Sequence, residues 1–163
     1  MATGTIELPI YGGIADATNP PGLTTNSGKP YWLFDATTAE YVTYTFRLPS
    51  DYSSAPTVIF HWSAASTTTS HTVVWSAEVY AYTPDTDTAT YPTNSFDTAN
   101  TVSDDILGTT SDRLQTVSLS LSNFDSGAAG DQVVLRIGRA AADGADDLTG
   151  DAKLWNITFQ YTT

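Results

Sequence analysis

The C-terminal stretch Trp155-Asn156-Ile157-Thr158-Phe159-Gln160-Tyr161 alternates apolar and polar residues without a break. Successive side chains of an extended strand point to opposite faces, so this pattern predicts a strand with one buried face, Trp155 included. The same period of two recurs along the chain. Val42, Tyr44, Phe46 and Leu48 alternate with Tyr41, Thr43, Thr45 and Arg47. Val58, Phe60, Trp62 and Ala64 share one parity, as do Val73, Trp75, Ala77 and Val79. Val117, Leu119 and Leu121 form a further set, and Val133, Leu135 and Ile137 another. Shorter strands are expected at 5–10 and 31–34, and a weakly marked one at 96–103.

Turn signals separate these runs: Leu48-Pro49-Ser50-Asp51, Pro84-Asp85-Thr86-Asp87, Asp125-Ser126-Gly127, Asp143-Gly144 and Thr149-Gly150-Asp151. No segment sustains a period of 3.6 with caps, and Ala140-Ala141-Ala142 is too short to nucleate a helix. The 28 Thr against only three Glu and two Lys also disfavour helix. The expected class is all-β: an antiparallel β-sandwich of about eight strands, jelly-roll type. Residues 30–163 form the sandwich in this reading. Residues 1–29 supply one short strand and an extended arm, because Asn19-Pro20-Pro21-Gly22 and Ser27-Gly28-Lys29-Pro30 cannot pack a core alone.

Composition narrows the function. The 163 residues carry a formal charge of −12 and no Cys. Zero Cys excludes a disulfide scaffold, a Cys-ligated zinc and a thiol nucleophile. Six cations form no patch for phosphate neutralisation, so no nucleic-acid partner is expected. No apolar run reaches the roughly 18 residues of a membrane span, and no membrane partner is expected. The N-terminus Met1-Ala2-Thr3-Gly4 lacks a basic start and an apolar core, so synthesis in the cytoplasm is expected.

Enzyme chemistry finds little support. His61 alternates with strand residues, and His71 sits among Ser and Thr; neither belongs to a recognisable triad motif. No carboxylate pair stands out for glycoside hydrolysis, and no phosphate loop occurs. No catalytic residue and no cofactor are assigned. The segment 143–151, Asp-Gly-Ala-Asp-Asp-Leu-Thr-Gly-Asp, offers hard oxygens for calcium. Its spacing fits turn-capping aspartates better, and no metal ligand is assigned. Asp85-Thr86-Asp87 and Asp104-Asp105 read the same way. Tyr80, Tyr82 and Tyr91 flank a loop rich in Thr and Asp and are the sugar-stacking candidates.

Several segments carry a family resemblance. Leu48-Pro49-Ser50-Asp51-Tyr52 leads into a strand starting at Pro56 and ending Trp62-Ser63-Ala64. Val74-Trp75 opens the next long strand. Phe124-Asp125-Ser126-Gly127-Ala128-Ala129-Gly130-Asp131 precedes the strand from Val133 to Arg139. Arg139-Ala140-Ala141 then runs through Asp143, Asp147, Leu148, Gly150 and Asp151 to the final aromatic strand. Over residues 30–163 the chain resembles tailed-bacteriophage virion proteins with a β-sandwich domain, including capsid decoration (cement) proteins.

The resemblance implies a structural protein on the outer capsid surface of a virion, a homotrimer bridging copies of the major capsid protein, with no catalytic residues. The arm would then supply the contacts, through Ile6, Leu8, Ile10, Tyr11 and Leu23. The alternative is a tail-fibre or baseplate module that binds host carbohydrate.

Overall fold

A computed structural model describes residues 1–163. Eleven strands are arranged in two antiparallel sheets. They are β1 (Thr3–Leu8), β2 (Ile14–Ala15), β3 (Gly22–Asn26), β4 (Lys29–Phe34), β5 (Glu40–Arg47) and β6 (Ser54–Ala64). β7 (Thr72–Tyr82), β8 (Asn100–Asp105), β9 (Gln115–Ser120), β10 (Gln132–Arg139) and β11 (Ala152–Thr162) complete the chain. The only helical turns are 3-10 turns at Ile10–Gly12 and Tyr91–Thr93. No helix is long and apolar enough to cross a membrane.

One sheet runs β3-β4-β11-β6-β9, with β1 also paired to β11; the other runs β2-β5-β10-β7-β8. The residues that alternate inward fill the space between them. Phe60, Trp62, Ile157 and Phe159 of the first sheet meet Tyr44, Trp75, Val79, Leu135 and Ile137 of the second, all nearly solvent-free. Aromatic rings bind the layers: Phe60 stacks on Trp75 at 5.1 Å, and Phe34 meets Trp75 edge-on at 5.5 Å. Burial pushes the Tyr44 phenol up to about 12, so it stays neutral beside the Trp32 indole at 3.3 Å.

The β-sandwich expectation holds, with short strands β2 and β3 added to the expected set. The weak run at 96–103 becomes β8, shifted to Asn100–Asp105. Residues 1–29 are not separate from the sandwich. β1 pairs with β11 from Thr3↔Thr162 to Leu8↔Ile157, β2 pairs with β5, and β3 with β4. The physical reason is that Leu8 and Ile10 are apolar enough to enter the core, where they are 5% and 4% exposed. Of the five expected contact residues, Leu8 and Ile10 are therefore used by this chain itself, and Ile6 packs against the same core. Tyr11 and Leu23 are exposed.

Two aspartate segments also do more than turn the chain. Arg139 is fully buried at the end of β10 and needs a counter-charge. Asp146 supplies it with both carboxylate oxygens, accepting from Nε at 3.0 Å and Nη2 at 2.7 Å, while Nη2 also donates to the Leu148 carbonyl and Nη1 to the Gly150 carbonyl. The 143–151 loop is thus wrapped around one guanidinium. Asp104 corrects the turn expectation: it lies in β8, where its carboxylate accepts from Trp62 Nε1 and Gln115 Nε2, both at 2.8 Å.

Candidate functional site

β11 has one irregularity that matters. Ala152 and Leu154 face the core on even positions, whereas Ile157, Phe159 and Tyr161 face it on odd ones. The parity changes at a bulge, where the pairing with β6 steps from Leu154↔Trp62 to Asn156↔His61. The bulge places Trp155 on the outer face. This corrects the expectation that Trp155 shares the buried face of Ile157. Its ring packs on Tyr31 at 4.6 Å between centroids, and its indole N–H donates to Ser63 Oγ at 2.8 Å.

The same place is a strand junction. β4 pairs with β11 at 152–154 and β1 pairs with it at 157–162. The two strands lie on one edge and leave Trp155 and Asn156 between them. A groove of about 790 Å3 opens there. Its walls are Pro9, Ile10 and Tyr11 after β1, residues 26–30 of the β3–β4 hairpin, and Asp112 and Leu114 of the loop before β9. Trp155 and Asn156 complete the lining.

Local backbone chemistry fixes each wall. Ser27 and Gly28 have φ of 49° and 78°, the left-handed pair of a two-residue hairpin turn. That turn sets Asn26 directly opposite Lys29. The Trp32 indole N–H donates to the Ile10 carbonyl at 3.2 Å, which anchors the turn carrying Tyr11. Tyr11 is left 68% exposed and Leu114 57% exposed. Asp112 accepts from Lys153 Nζ at 2.7 Å, and Asn156 Nδ2 donates to Glu7 Oε2 at 2.9 Å. Thr158 Oγ1 extends this polar strip, 3.1 Å from both Glu7 oxygens and 3.4 Å from His61 Nε2.

The groove therefore combines exposed aromatic and aliphatic surface with amide, carboxylate and ammonium groups. That composition suits a ligand with apolar faces and hydroxyl edges. The lining comes from four separate chain segments, so no local motif marks it. The one signal in the sequence was Lys153, a charge on the same parity as Trp155, which argues that the inward register does not run unbroken through Trp155.

The Tyr80, Tyr82 and Tyr91 candidates lie on the opposite sheet. The structure does bring them together, with centroids 5.3 to 6.2 Å apart. They pack mainly on one another, however. Tyr80 is 4% exposed, against the expectation of an exposed ring, and the Tyr82 hydroxyl donates to the Asp87 carbonyl at 2.8 Å. Tyr91 is 38% exposed. Nearby, Arg136 lies between the rings of Tyr41 and Phe96, at 4.7 and 4.4 Å, and pairs with Glu78. These contacts tie the 83–97 loop to the sheet, although the buried Tyr80 hydroxyl has no hydrogen-bond partner. His71 Nδ1 lies 3.1 Å from Ser66 Oγ, a contact between residues five apart in the loop before β7.

No family model matches the chain, and no curated protein matches it by sequence. Solved structures do resemble it. The Agl-KA catalytic domain is 12% identical with a TM-score of 0.54, over 100% of this chain and 28% of that one. A xylan-binding module, CBM15, is 12% identical with a TM-score of 0.48, over 98% and 97% of the two chains. The enzymatically active domain of tailspike protein 4 of bacteriophage CBA120 is 12% identical with a TM-score of 0.44, over 92% and 19%. At such identities the likeness speaks for the fold alone.

Proposed function

We propose that this chain is a carbohydrate-binding module of a phage tail fibre or baseplate, the alternative reading of the sequence. The observation that supports it is the groove at the β11 bulge. Trp155 and Tyr11 present ring surface to its space, and Asn26, Lys29, Asp112 and Asn156 present polar atoms. Pyranose rings carry an apolar C–H face and equatorial hydroxyls, which such a surface accommodates. The similar solved structures agree in fold; the groove carries the functional reading.

The capsid-cement reading placed its contacts in the arm. Three of its five contact residues are packed in or against this chain's own core, so no specific observation now favours it. The test is a broad glycan array probed with the labelled protein and with Trp155→Ala. Binding to one group of glycans, lost in the variant, supports the module. An empty array together with stoichiometric binding to purified phage heads would restore the cement reading.

A further inference from the structure

The charge distribution narrows the ligand, given the glycan-binding reading above. The chain has 18 carboxylates and six cations. Three cations are committed to ion pairs: Arg136 with Glu78, Arg139 with Asp146, and Lys153 with Asp112. Lys29, Arg47 and Arg113 have no carboxylate partner. Arg47 instead donates to the Gly130 carbonyl at 2.8 Å. Lys29 lines the groove, and Arg113 sits between the lining residues Asp112 and Leu114. Of the three unpaired cations of a strongly acidic chain, Lys29 thus stands in the groove wall, while Arg113 turns its guanidinium towards Gly108.

The acids near the groove are largely occupied. Asp112 is neutralised by Lys153. Glu7 accepts hydrogen bonds from Asn156 and Thr158. An ammonium group without a counter-ion, beside an aromatic wall, fits a ligand that brings its own negative charge. We infer that the groove takes an acidic saccharide, with a sugar carboxylate on Lys29 and the ring against Trp155. The overall charge of −12 does not forbid this, because at physiological ionic strength charges beyond about 8 Å are screened while a direct contact is not.

The experiment compares carboxylated oligosaccharides with their carboxyl-reduced, neutral counterparts on the wild-type protein, Lys29→Gln and Trp155→Ala. Lys29 is exposed at a hairpin tip, so its replacement leaves the fold intact, which a thermal melt checks. The expected result is about tenfold or greater preference for the acidic member, and Lys29→Gln brings the two members to equal affinity. Equal affinity for both members, or preference for the neutral one, overturns the acidic assignment and leaves the glycan module standing. A preference that survives Lys29→Gln also overturns it. Binding of neither member, with an empty glycan array, overturns both.

Discussion

The indole N–H of Trp155 donates to the hydroxyl of Ser63 at 2.8 Å, across the bulge that turns this one tryptophan out of the core. Trp32, Trp62 and Trp75 are all buried, so Trp155 alone among the tryptophans has surface to offer a ligand. Ser63 is itself buried on the outer side of β6 and fixes the plane of the ring.

Trp155→Ala should reduce glycan affinity by roughly five- to thirtyfold, the equivalent of losing about 1–2 kcal/mol of apolar contact. Trp155→Phe keeps a ring and should recover part of that loss. Isothermal titration with the best array glycan measures both. Equal affinities for all three proteins would remove Trp155 from the site.

The N-terminal segment is part of the sandwich, which reverses what a Pro- and Gly-rich start leads one to expect. Deleting residues 1–10 strips β1 from β11 and takes Leu8 and Ile10 from the core. The loss should be about 3–6 kcal/mol, two buried aliphatic side chains at ~1.5–3 kcal/mol each. Urea unfolding followed by tryptophan fluorescence reports it. An unchanged midpoint would mean that the segment is an independent arm.

Arg139 and Asp146 form a pair with side chains 0% and 1% exposed. Removing one partner leaves a buried charge alone, so Asp146→Ala should cost about 3–5 kcal/mol. Replacing both, with Arg139→Met and Asp146→Leu, should cost much less than the sum of the single changes. Chemical denaturation of the four proteins gives the cycle. Additive effects would show that the two charges do not depend on each other.

Asp35 titrates at about 2, held there first by the Thr37 hydroxyl and then by the backbone N–H groups of Thr37 and Thr38. A carboxyl lowered on folding adds stability above its unfolded value near 3.9 and loses it as pH falls towards 2. Glu40 runs the other way: burial, together with Asp35 and Asp151, raises it, so its ionisation opposes folding. Asp35→Asn should therefore flatten the fall in melting temperature between pH 4 and 2, measured against the wild type. Parallel profiles for the two proteins would rule out this role.

Most of the framework was readable from parity alone. Val58, Phe60 and Trp62, or Val133, Leu135 and Ile137, keep one register throughout their strands and are buried as alternation demands. Trp155 was misread because a bulge shifts register without changing composition. Leu8 and Ile10 were misplaced because the core they enter is built by β5, β10 and β11, far along the chain. Asp104 and Asp146 looked like turn residues because their partners, Trp62 and Arg139, are set by tertiary contact. The groove was illegible for a related reason: its walls meet only where β1 and β4 share an edge of β11.

The most direct measurement is an NMR titration of the ¹⁵N-labelled protein with the strongest array glycan. The account predicts saturable shifts at the Trp155 indole and at the amides of Tyr11, Asn26, Lys29 and Asn156. Shifts confined to Tyr82, Tyr91 and their neighbours on the other sheet, or no saturable shift at all, would contradict it.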